Sequence, residues 1–256
     1  MNDAVLRVAD LAVAFPGSRG SARRVVDGVS FTIGRGEILG LAGESGSGKS
    51  LTALAAMRLL PHGAQVSGSI GLLGRDLSNL DPLGMRAVRG RDMAMIFQEP
   101  MTSLNPLLRS GFQIAEALRA HRGLSRAEAR TKTVELMRGV GVPSAETRVD
   151  DYPHQLSGGM RQRVMIAMAM ACEPRLLIAD EPTTALDVSV QAQILALIRK
   201  LRQANGMGVL IITHDLGVLS VLADRIMVMY AGEIVESAPA ADLFDKALHP
   251  YTALLV

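Results

Sequence analysis

The chain has 256 residues, 48% hydrophobic and 20% charged, with 27 basic and 25 acidic side chains for a net charge of +2. This excludes an intrinsically disordered chain, which needs low hydrophobicity and high net charge, and it excludes collagen-like and disulfide-rich classes. Cys172 is the only cysteine, so it forms no internal bridge and builds no cysteine metal cluster, as suits a reducing compartment. No block of five like charges offers a basic tail to nucleic acid. The longest apolar run, residues 164–172, falls far short of the roughly 20 residues that a membrane span needs. Met1-Asn2-Asp3-Ala4 lacks the basic and apolar regions of a signal peptide.

In chain order, residues 6–15 and 25–33 read as strands split by a Gly/Ser/Arg turn region at 16–24. Residues 38–42 form a short apolar run bounded by glycines, as a buried strand does, and residues 50–60 turn helical with Arg58 facing out. Between Glu99 and Tyr152 the texture changes. Apolar residues recur at helical spacing (Ile114 and Leu118, Val134 and Met137) and no strand-like run interrupts them, which predicts a helical insertion. Beyond it, helical stretches at 157–172 and 188–204 flank the apolar runs 176–179 and 209–212. Strands alternating with helices argue for an α/β fold with a parallel sheet. Residues 225–235 read as two strands around Ala231-Gly232, and residues 239–247 as an amphipathic helix.

Three segments carry chemistry. Gly43-Glu44-Ser45-Gly46-Ser47-Gly48-Lys49-Ser50 fits the P-loop pattern and lies between a predicted strand and a predicted helix. Its glycines let backbone N–H groups close on phosphate oxygens, and the helix that follows offers its positive end to the anion. Lys49 is expected to reach the β- and γ-phosphates, and the Ser50 hydroxyl to ligate Mg²⁺. Leu176-Leu177-Ile178-Ala179-Asp180-Glu181 is an apolar strand ending in two carboxylates. Beside a P-loop, Asp180 is placed to hold Mg²⁺ and Glu181 to polarise an attacking water; alone, the pair would read as a helix cap. Leu156-Ser157-Gly158-Gly159-Met160-Arg161-Gln162 opens a long helix, with Ser157 as a natural N-cap and two glycines exposing N–H groups to a second anion.

With these segments the sequence resembles an ABC-transporter ATP-binding subunit over essentially its whole length. The signature is residues 156–162. Gln98, after Met95-Ile96-Phe97, is similar to the Q-loop glutamine; Thr184-Ala185-Leu186-Asp187 to the D-loop; and His214, after Ile211-Ile212-Thr213, to the switch histidine. Phe97-Gln98-Glu99-Pro100-Met101-Thr102-Ser103-Leu104-Asn105-Pro106, Gly159-Met160-Arg161-Gln162-Arg163, the run from Glu181 to Val188 and His249-Pro250-Tyr251-Thr252 resemble the dipeptide, oligopeptide and nickel importers. Members of that group often continue past this last motif, some with a cysteine cluster that this sequence lacks.

The resemblance implies a P-loop NTPase (RecA-like) core with a parallel sheet, an N-terminal antiparallel β subdomain and an inserted α-helical subdomain. The core would take residues 1–98 and 161–256, and the helical signature subdomain about 99–160. It implies ATP and Mg²⁺ as cofactors, with nucleotide contacts from residues 43–50, from Thr52, and from Phe15 as the adenine-stacking aromatic. It implies Mg²⁺ contacts from Ser50, Gln98 and Asp180. Glu181, His214, Gln98 and Lys49 would be catalytic. Ser157, Gly158 and Gly159 would meet the γ-phosphate on a partner's P-loop, with Asp187 linking the two sites. Implied partners are a second ATP-binding subunit in a head-to-tail dimer, two transmembrane permease subunits and, indirectly, an extracytoplasmic solute-binding protein. Residues 101–108 are the expected permease-docking surface. The implied location is the cytoplasmic face of the bacterial cell membrane. An alternative is a soluble ABC ATPase acting on nucleic acid or the ribosome, against which the short insertion and the lack of basic clusters weigh. Met165, Met168 and Met170 read as core filler rather than metal ligands, and His62, His121, His154 and His249 as structural or surface residues.

Overall fold

The computed structural model describes residues 4–17, 22–98, 103–184 and 186–256. These fall into two compact units: residues 1–86 with 206–256, and residues 87–205.

In the first unit, β1 (Ala4–Pro16) and β2 (Ala22–Gly34) pair antiparallel and bury Leu6, Leu11, Val13, Val26 and Ile33 completely. β3 (Ile38–Ala42) is buried at all five positions, as its unbroken apolar run predicts. After α1 (Lys49–Ala56) come β4 (Gln65–Leu72) and β5 (Arg75–Asp76), which complete an antiparallel sheet in the order β2-β1-β4-β5. α1 ends four residues before the predicted boundary. Arg58 turns left-handed at φ 50 and donates from Nη1 to the carbonyls of Leu77 and Leu80, so the chain leaves the helix to meet them.

The second unit begins with β6 (Met93–Ile96), then α2 (Ser110–Arg122) and α3 (Arg126–Gly139). Glu99, Pro100, Met101 and Thr102, which include the first part of the expected docking surface, lie outside the described residues. α3 opens on a capping box: Ser125 Oγ accepts from Glu128 N–H at 3.3 Å, and the Glu128 carboxylate accepts from Ser125 N–H at 2.9 Å. Its buried stripe is Ala129, Thr133 and Met137, one residue round from the predicted pairing of Val134 with Met137. Ile114 and Leu118 of α2 are buried as predicted. α4 (Gly158–Met170) packs against both helices and against β6. Met165 and Met170 are buried in it, while Met168 is half-buried. β7 (Leu176–Asp180) runs parallel to β6, and α5 (Val188–Asn205) buries Ile194 and Ile198, spaced one turn apart.

The chain then returns to the first unit. β8 (Gly208–Ile212) lies parallel to β3 on one side, and β9 (Arg225–Tyr230) lies parallel on the other, so β3 is enclosed in the order β9-β3-β8. α6 (Leu216–Leu222) joins those two strands. β10 (Glu233–Pro239) pairs antiparallel with β9, and two short helices follow, α7 (Ala240–Asp245) and α8 (Pro250–Leu255).

Candidate active site

β3 ends at Ala42 and delivers residues 43–48 to the carboxyl edge of its parallel strands, where α/β folds bind ligands. Gly43 (φ 147), Gly46 (φ 82) and Gly48 (φ 108) all take up left-handed backbone. A Cβ on Gly43 would lie 2.2 Å from Met229 O, and one on Gly48 would lie 2.8 Å from Val25 O, so the loop is pressed against β9 and β2 at its two ends. At Gly46 a Cβ would meet nothing within 4 Å, which leaves the tip open to a ligand. Gly48 is the N-cap of α1 with no side-chain cap, so the helix presents its leading N–H groups at the loop.

Lys49 is 6% exposed, and its ammonium donates to Gly43 O and Glu44 O, both at 2.8 Å, across the base of the loop. Ser47 Oγ is buried with no hydrogen-bond partner among the described residues. A buried orphan hydroxyl, a sequestered cation and a helix start come together in one loop, which fits a phosphate chain. Glu44 and Ser45 are exposed at the rim. Thr52 is buried, and its hydroxyl donates to Gly48 O at 3.0 Å, so in this structure it braces the last loop glycine. Phe15 sits half-buried near the end of β1, opposite Arg23. His214 is exposed just past the end of β8, and Thr213 N–H donates to Leu41 O at 3.2 Å. The histidine therefore shares an edge with the loop although 165 residues separate them in sequence (214 less 49).

In the second unit, β7 carries buried Asp180 to its end, beside the end of β6, from which Gln98 follows. Glu181 then takes a left-handed conformation, φ 46, which costs a residue bearing a Cβ of order 1–3 kcal/mol. Its Oε2 accepts from Gln98 Nε2 at 3.1 Å and from Thr184 Oγ1 at 2.8 Å. The strained backbone and the two donors together fix the direction of one carboxylate. Thr184 was legible only as part of a motif, without a role; a hydroxyl three residues beyond a carboxylate in a turn is the signal for it. Gln162 Nε2 donates to Pro182 O at 2.6 Å from a buried position, tying α4 to the same turn, and nothing in the sequence announces that contact.

Ser157 caps α4 as expected, accepting from Met160 N–H at 3.4 Å, and both Ser157 and Gly158 are exposed. A Cβ on Gly159 would lie 2.9 Å from Val190 Cγ1, so the helix start packs closely on α5. Asp187 caps α5 through Val190 N–H at 3.0 Å, and this bond, followed by that from Ser189 Oγ, holds its carboxyl below the usual range. Ala185, part of the expected D-loop, lies outside the described residues. The hydroxyl of Ser50 in the first turn of α1 and the carboxylate of Asp180 are hard oxygen donors of the kind magnesium takes.

A profile of the ABC transporter family matches residues 26–184. The chain belongs to the ABC transporter family. Among curated relatives, the dipeptide transport ATP-binding protein DppD of Haemophilus influenzae is 51% identical over 254 residues, covering 99% of this chain and 77% of that protein. A probable peptide ABC transporter ATP-binding protein, y4tR of Sinorhizobium fredii, is 53% identical over 256 residues, covering 99% of this chain and 76% of its own. Among solved structures, the ATP-binding cassette MJ0796 in a dimeric post-hydrolysis state bound to ADP and Pi superposes with a TM-score of 0.81 at 27% identity, covering 92% of this cassette and 98% of that chain.

Proposed function

We propose that this chain is the ATP-binding and hydrolysing subunit that powers an ABC importer for peptides or a related small solute. One observation carries the reading: a phosphate cradle and a serine-diglycine helix start occur in a chain that is half identical, over 99% of its length, to peptide-transport ATP-binding proteins. Those names also leave the nucleic-acid alternative without support.

In this reading residues 43–50 wrap the phosphates, Lys49 meets the β- and γ-phosphates, and half-exposed Phe15 stacks on the adenine. Thr52 keeps the cradle closed behind them. Ser50, Asp180 and Gln98 would hold Mg²⁺, which supplies charge neutralisation to the phosphates. Glu181 takes the proton from an attacking water; Gln98 and Thr184 aim it, and His214 holds the γ-phosphate. Phosphoryl transfer needs this positioning more than covalent help.

The reading places a second ATP-binding subunit head to tail with this one. The edge formed by exposed Ser157 and Gly158 and half-buried Gly159 then meets the partner's nucleotide, and Asp187 joins the two sites. The neighbouring Val188 is 83% exposed, an apolar side chain that such a partner would cover. Closure is favourable only while a γ-phosphate gives both chains something to bind, so hydrolysis reopens the pair. Residues 1–98 and 161–256 form the catalytic part of this scheme, and about 99–160 the helical signature part. Two transmembrane permease subunits dock on the latter, where Leu107 is 83% exposed, and receive solute from an extracytoplasmic binding protein. The cassette then sits peripherally on the cytoplasmic face of a bacterial cell membrane.

Glu181→Gln tests the centre of the proposal. ATP binding is expected to persist while turnover falls by about a hundredfold or more, the usual worth of a general base. A variant that hydrolyses ATP at the wild-type rate would remove Glu181 from this role.

A further inference from the structure

The peptide bond between Gly43 and Glu44 is held at both ends. Its carbonyl accepts from Lys49 Nζ at 2.8 Å, and its N–H donates to the phenol oxygen of Tyr251 at 2.9 Å, from 207 residues further along the chain. Both bonds require the same orientation of the peptide plane. If the plane rotated, the carbonyl would leave the ammonium as the N–H left the phenol.

Tyr251 is itself tightly located. It lies in the first turn of α8, a six-residue helix that is too short to persist alone. The His249 ring caps that helix, its Nδ1 accepting from Tyr251 N–H at 3.1 Å, and Pro250 occupies the first helical position. The Glu236 carboxylate on β10 accepts from Leu248 N–H at 2.9 Å and from His249 N–H at 3.0 Å, which ties the helix to the sheet. The Tyr251 ring rests on that of Tyr230 at the end of β9, with centroids 4.6 Å apart. One residue earlier, Met229 O presses on Gly43. The end of β9 therefore braces the loop directly through Met229 and indirectly through the two tyrosines.

We propose that Tyr251 is a positioning residue for the phosphate cradle, fixing the Gly43–Glu44 peptide and, through its carbonyl, the Lys49 ammonium. This rests on reading the loop as an ATP site. Glu44 is exposed, so the rival account is that water serves its N–H equally well and the phenol is mere filling.

Tyr251→Phe in the full chain separates the two, because it keeps the ring on Tyr230 and removes only the hydroxyl. Calorimetry with ATP and with AMP, alongside thermal melting without nucleotide, gives the readout. ATP affinity is expected to fall about three- to tenfold, the worth of one modest hydrogen bond. AMP affinity is expected to stay unchanged, since AMP lacks the phosphates that Lys49 serves, and the melting temperature to fall by no more than about a few degrees, the lost bond's own share of stability. ATP affinity within twofold of wild type overturns the inference, as does an equal loss for ATP and AMP, which would mark general loosening. A wild-type chain that binds no ATP overturns the functional reading, and this inference with it; ATP binding that is indifferent to Tyr251→Phe overturns this inference alone.

Discussion

At Lys49 a buried cation is aligned by two neutral carbonyls, and that alignment gives the residue its use. An ammonium held in place meets a phosphate without first losing the rotamer entropy of a free lysine. Lys49→Ala removes a charge-assisted contact, and the Kd for ATP measured by calorimetry is expected to rise about ten- to hundredfold. Unchanged affinity would contradict the cradle. The residue types at the site were legible from the sequence because the spacing of glycines and lysine is itself the chemistry. Their supports were not. Tyr251 and Glu44 are 207 positions apart, and Gln162 reaches Pro182 across a turn, so no periodic pattern registers either contact.

Among the elements, those buried on both faces were the easiest to read. β3, β7 and β8 are buried throughout and are apolar at nearly every position, and all were found to within a residue or two. β4 was not anticipated, because five of its eight residues are exposed and two are glycine, so neither alternation nor an apolar run marks it. The α2–α3 pair was foreseen as helical, but not the ion cluster joined to it. Asp150 accepts from Arg130 at 2.9 and 2.6 Å and pairs with Arg109 at 3.2 Å. The Arg130 hydrogen bonds lead in holding the Asp150 carboxyl below its ordinary value of 3.8; burial opposes them, and Arg109 adds to them. A lowered folded-state pKa stabilises above the unfolded value, and that stabilisation disappears as pH falls through the folded value. Asp150→Asn is therefore expected to melt below wild type at neutral pH, with the gap closing on acidification below about 3.8. A gap that stays constant with pH would show that the carboxylate charge contributes nothing. Since these groups are exposed, the gap at neutral pH is expected to be small, within about 1 kcal/mol.

For the whole molecule, the proposed pairing of two cassettes makes Ser157 act on a nucleotide held by another chain. In a transporter with two different cassettes, Lys49→Ala leaves turnover only at the partner's P-loop. Adding Ser157→Arg is expected to abolish that remaining turnover, measured as phosphate release. If that turnover survives Ser157→Arg, the head-to-tail arrangement is wrong. The left-handed backbone at Glu181 sets two selective pressures against each other within this scheme. Glycine enters that conformation without steric penalty, so a screen for heat resistance alone would favour discarding the acid. Survivors of such a screen would be hardier proteins and idle engines.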